Sequence, residues 1–66
     1  MKLNLRQARR LRDKTQEEMA NLLKIHVQTY RKIEEMPSIA TIEQAKKISE
    51  YLNFPYDEIF FDFNSN

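Results

Sequence analysis

Asn4 with Gln7, Thr15 with Glu18 and Thr41 with Gln44 each set a short polar side chain three positions before Glu or Gln, at the head of an apolar-periodic run. In a capping box the first side chain accepts the amide of the later residue, and the later side chain accepts the amide of the first. Two orphan donors of a helix are then satisfied together. The three pairs predict helix starts at Leu5, Gln16 and Ile42. Leu5, Ala8 and Leu11 carry the first helix to about Arg12, and a stripe of Ile42, Ala45, Ile48 and Leu52 is expected to be buried by a helix over 42–52. Asp13 and Lys14 remain as a tight connection. Pro37 bars a helix across "MPSIA" and biases Met36 away from helical angles. The chain has no glycine, so Asn53 takes the left-handed position that ends the 42–52 helix. Pro55 pre-sets a short last helix over about 56–60, with Asp57 and Glu58 at its positive end.

The stretch between the second and third capping boxes is harder to divide. "MANLLKIHVQTYRKIEEM", Met19 to Met36, contains neither glycine nor proline, and Met19, Leu22, Leu23, Tyr30 and Ile33 keep one helical phase throughout. A continuous helix, however, would centre His26 on the apolar face and turn Ile25 toward the polar side. Splitting the run near 24–26 makes His26 a surface N-cap and frees Ile25 to enter the core. The β-branched Ile25, Val27 and Thr29 also weaken a continuous helix there. On the residues alone two helices are favoured, and the single helix stays open.

Sixty-six residues make one small domain, near the lower limit for folding without a metal, a disulfide or a partner. Oligomerisation is therefore expected. With no cysteine and one histidine, a disulfide framework is impossible and a structural zinc site of the usual Cys/His kind nearly so, and no metal or other cofactor is expected. Apolar runs fall far short of the roughly 20 residues needed to cross a bilayer, and "MKLNLRQARR" lacks a signal peptide's apolar core. A cytoplasmic protein without a membrane partner is expected. No glycine-rich phosphate loop, no cysteine nucleophile and no evident partner for His26 point to an enzyme, and no small-molecule ligand is evident. The formal net charge is only +1, but residues 1–14 carry six Lys or Arg against one Asp, whereas residues 36–66 carry two against five acids. That polarity suits one face meeting phosphate, as it suits a merely solvated basic helix.

The segment "TQEEMANLLKIHVQTYRKIEE" resembles the helix-turn-helix of the Xre/Cro/C1-type DNA-binding family. Its landmarks are Thr15, Gln16, Glu17, Glu18, Met19 and Ala20 at the opening, then Ile33 and Glu34 at the end of the recognition helix. "ATIEQAKKISEYLNFPYDEIF" is similar to the family's fourth and fifth helices, so the resemblance covers about residues 4–60. It implies an all-α, compact five-helix, lambda-repressor-like domain with helices about 5–12, 16–23, 27–35, 42–52 and 56–60. The departures fall at the turns: Lys24 and Met36 stand where the family usually has glycine, and His26 stands at the usual capping serine.

The resemblance also implies roles. An α-helix fits the major groove, which makes Val27, Gln28, Arg31 and Lys32 the candidate base contacts. Gln16 matches a residue that clamps the DNA backbone, with Thr15, His26, Thr29, Lys14 and Ser38 as further phosphate candidates. Arg9 and Glu34 are expected to form a structural ion pair. The apolar "EIFFDF" is expected to build a homodimer through Ile59, Phe60, Phe61 and Phe63, as a short C-terminal strand, an extended tail or a packed helix end. The expected function is that of a bacterial or phage transcriptional repressor or Cro-like switch acting on a double-stranded, near-palindromic operator. Antitoxin autoregulators and restriction-modification controllers share the domain, and a protein-interaction module that has lost DNA binding is the rival from another class.

Overall fold

The computed structural model describes residues 3–60, a helical bundle with no strand among those residues. Helices α1 (Leu5–Leu11), α2 (Gln16–Leu23), α3 (Val27–Glu35), α4 (Ile42–Leu52) and α5 (Tyr56–Ile59) follow in order, and a 3-10 turn, Pro37–Ile39, joins α3 to α4. All three capping boxes close. The Gln7, Glu18 and Gln44 amides donate to the Asn4, Thr15 and Thr41 side chains at 2.8–3.0 Å, and the reverse bonds run 2.7–3.0 Å. At Glu18, the hydrogen bond from the Thr15 amide holds the carboxyl below its ordinary pKa.

The far ends of the same three helices also share one design. Asp13, Lys24 and Asn53 all adopt left-handed backbone, with φ of 58°, 58° and 59°. After each, the next residue's amide returns to the carbonyl five positions back: Lys14 to Arg9, Ile25 to Ala20, and Phe54 to Ser49. These are Schellman motifs made without glycine, and the left-handed angle carries a steric penalty that asparagine and aspartate tolerate better than lysine. The run Met19–Met36 is therefore two helices, broken at Lys24. Ile25 packs against the core and His26 stands exposed at the N-cap of α3.

Leu5 and Ala8 from α1, Met19, Ala20 and Leu23 from α2, Tyr30 and Ile33 from α3, and Ala45, Ile48 and Leu52 from α4 converge on one core. α2 packs on both α3 and α4, and α4 packs on α5. Ile59 and Phe60 close the core from α5, with the Tyr56 and Phe60 rings stacked 5.5 Å apart. Arg12 fixes the far side: its Nε donates to the Leu52 carbonyl at 2.7 Å, Nη2 donates to Asn53 at 3.2 Å, and the guanidinium lies 4.2 Å from the centre of the Phe54 ring. One side chain from the end of α1 thus satisfies carbonyls at the end of α4.

Several expectations are corrected. Ile42 is 64% exposed, because at about 100° per residue it lies farther round from the centre of the buried face than Ala45, Ile48, Ser49 or Leu52. Ser49 joins the buried face instead, its hydroxyl donating to the Ala45 carbonyl at 3.0 Å. Leu11 is 61% exposed, and Arg9 takes the buried position on α1. α1 stops at Leu11 and α5 at Ile59, one residue short of the expected ends. Ile59 and Phe60, expected at a dimer interface, are 2% and 0% exposed within the protomer and pack in its core. Phe61 and Phe63, together with the expected C-terminal strand or tail, lie outside the described residues.

Candidate nucleic-acid interface

The two faces of α3 are sharply divided. Tyr30 and Ile33 are buried against α2 and the core, whereas Gln28, Thr29, Arg31 and Lys32 are exposed. Val27 is half-buried and packs on the core, so of the candidate base contacts it has the least free surface. His26 has extended backbone, φ −69° and ψ 148°, and makes no side-chain hydrogen bond to the amides of the first turn. Among the described residues no side chain claims those donors.

The inner edge of α3 ends in a polar knot around Glu34, whose side chain is wholly covered. Arg9 Nε donates to Oε2, and Arg9 Nη2 donates to Oε1 at 3.5 Å. Gln16 Nε2 donates to the same Oε1 at 3.0 Å, and Arg6 Nε lies 3.5 Å from it. Arg9 is itself anchored by a 2.8 Å bond from Nη1 to the Lys14 carbonyl. Burial alone would raise the Glu34 pKa, but hydrogen bonds from Arg9 and Gln16, the adjacent Tyr30 hydroxyl and the Arg9 charge outweigh it and hold the carboxyl below its ordinary value. The buried Tyr30 hydroxyl approaches this carboxylate without completing a regular hydrogen bond. Burial and the Glu34 charge push its pKa far up.

Gln16 extends the knot to the surface. Glu34 is an acceptor, so the Gln16 amide must turn its NH₂ inward, which leaves Oε1 to accept from Arg31 Nε at 3.1 Å. The structure therefore brings Arg9, Gln16, Arg31 and Glu34 together, joining the start of α2 to the exposed side of α3. The remaining candidates stand apart. The Thr15 hydroxyl is engaged in its cap, and the Lys14 ammonium sits 5.1 Å from the centre of the Tyr51 ring. Ser38 is exposed on the 3-10 turn. Arg6 and Arg12 were not anticipated from the sequence. Their partners lie far along the chain, and no local spacing announces them.

Among the described residues no group of His, Cys, Asp or Glu is placed to hold a metal ion, and no helix is long and apolar enough to cross a membrane. No curated protein and no solved structure matches the chain significantly. A family model does: the helix-turn-helix model spans residues 5–59, from the first turn of α1 to the end of α5. With the αL turn at Lys24, the two-faced α3 and a match over most of its length, the chain belongs to the Xre/Cro/C1-type helix-turn-helix family of DNA-binding regulators.

Proposed function

We propose that this protein is a small bacterial or phage transcriptional regulator, a repressor or Cro-like switch, that binds a near-palindromic operator with α3 in the major groove. The observation that carries the reading is the division of α3 into a buried apolar face and an exposed face bearing Gln28, Thr29, Arg31 and Lys32. Gln28 has the paired donor and acceptor that match adenine N6 and N7. Arg31 and Lys32 suit guanine O6 and N7, and Val27 suits a thymine methyl. Gln16, Thr15, His26 and Thr29 line the starts of α2 and α3, where phosphate oxygens meet backbone amides, with Lys14 and Ser38 as outlying contacts.

The protein acts in the cytoplasm as a homodimer whose two α3 helices enter half-sites about 34 Å apart. Beside Ile59, Phe60, Phe61 and Phe63, the exposed apolar side chains Met36, Ile39 and Ile42, running from the end of α3 to the start of α4, offer a surface for that contact. An antitoxin autoregulator or restriction-modification controller would use the same domain, and neighbouring genes separate these roles. The low net charge of +1 supports one rival, an interaction module of the same fold without DNA binding.

Selection from random-sequence duplexes, followed by a salt titration, tests the reading. A palindromic consensus and affinity that falls steeply with salt are expected. An enriched single half-site would remove the dimer, and no enrichment with salt-independent behaviour would remove DNA binding altogether. Gln28→Ala should relax one base position by about 1–3 kcal/mol, whereas Gln16→Ala should weaken all sequences alike.

A further inference from the structure

Three guanidinium groups surround a single carboxylate at the junction of α1, α2 and α3. Arg9 contacts both oxygens of Glu34 and is buried. Arg6 reaches Oε1 through Nε at 3.5 Å, and Arg31 is linked to the same carboxylate through the Gln16 amide. Glu34 supplies one negative charge against three positive ones, so the site keeps a surplus that Arg9, being buried, cannot present to solvent. The surplus is carried by Arg6, with 52% of its side chain exposed, and by the exposed Arg31. Arg31 is hydrogen-bonded through its Nε and Arg6 faces the carboxylate with its Nε, and the Nη groups of both make no hydrogen bond among the described residues. A guanidinium engaged only at its Nε side keeps its Nη pair for a two-pronged grip on a phosphate.

We propose that Arg6, which lies on α1 outside the helix-turn-helix proper, is a DNA phosphate contact that shares one backbone-binding site with Gln16, the two being aligned by Glu34. The inference rests on the DNA-binding reading above. Arg6 and Gln16 meet at the same Glu34 oxygen, at 3.5 and 3.0 Å, which sets the two side chains beside one another for a single phosphate. The contact with Glu34 contributes little to folding, since Arg9 already satisfies the carboxylate and Arg6 is half in water. Charge at position 6 is therefore free to serve the polyanion.

The test measures the full chain and its Arg6→Gln, Arg6→Lys and Lys47→Gln variants on the selected operator and on a random duplex across a salt series. Lys47 is the control, a cation of α4 that lies near Glu43 and away from the Glu34 knot. Arg6→Gln should weaken operator and random DNA alike by about 3–10-fold at low salt and reduce the slope of log K against log salt by about 0.9. Arg6→Lys should restore the slope, Lys47→Gln should leave it unchanged, and the thermal midpoint of Arg6→Gln should match the parent's. An unchanged slope in Arg6→Gln, equal losses in Arg6→Gln and Lys47→Gln, or a lowered midpoint without a slope change would overturn the proposal while DNA binding stands. A parent chain with no salt-dependent binding to any duplex would overturn both.

Discussion

At the start of α2 the Thr15 hydroxyl accepts the Glu18 amide, and at its end Lys24 turns left-handed to return two amides to the last carbonyls. At the start of α3 His26 occupies the same position and its side chain accepts nothing. At the end, Met36 has φ −140° and forms no left-handed cap. The neighbouring helices therefore owe their places to different forces. α2, like α1 and α4, is delimited by local hydrogen bonds within a few residues. α3 is held by its inner face, through Tyr30, Ile33 and the Glu34 knot. Among α1 to α4 the helix that carries the proposed reading surface is the one whose ends are least committed, which leaves its first amides open to water or phosphate.

The largest test of this contrast is Glu34→Ala. Removing the carboxylate leaves Arg9 buried without its counter-ion, and a loss of about 3 kcal/mol is expected in chemical denaturation, a large share of the stability of so small a domain. An effect below about 1 kcal/mol would mean that α3 is not anchored through the knot. The same group sets an acid limit. Its folded pKa is depressed, so its contribution is present above the ordinary carboxylate value near ~4.3 and is lost as pH falls below it, through the folded value. The parent's midpoint should accordingly drop on acidification below about pH 4.5, and Glu34→Gln should show a flatter profile.

Cap substitutions probe the other half of the comparison and should be smaller. Thr15→Ala is expected to destabilise by about 1 kcal/mol, whereas His26→Ser, which supplies the missing acceptor, should stabilise by up to about 1 kcal/mol. Equal responses at the two sites would erase the distinction between α2 and α3. Smallest of all, Lys24→Gly should relieve the left-handed strain and raise stability by about 0.5 kcal/mol, with Asn53→Gly close to neutral because asparagine tolerates that angle. Thermal melts of the two variants side by side resolve the difference.

What could be read in advance follows the range of each interaction. The three capping boxes and the left-handed Asn53 were legible because cause and effect lie within five residues. The division of the Met19–Met36 run was only partly so: the misplaced phases of Ile25 and His26 suggested it, and family resemblance supplied the turn at Lys24. Resemblance also supplied the pairing of Arg9 with Glu34. The link from Arg31 to Gln16 spans 15 residues and that from Arg12 to Leu52 spans 40, and neither is encoded in any spacing. The burial of Ile59 and Phe60 within the protomer was not legible for a related reason. A count of apolar residues shows that surface must be hidden, but not whether the chain's own core or a second copy hides it.

The grip of Arg12 on the last carbonyls of α4 bears on how far this architecture can be dissected. α3 leans on Arg9 of α1, and α1 in turn is moored to the segment that follows α4. A peptide confined to α2, the turn and α3 would lack both moorings. The recognition unit is therefore not portable: grafting it onto another scaffold requires the first helix, with Arg12, and the end of α4 that Arg12 grips to travel with it.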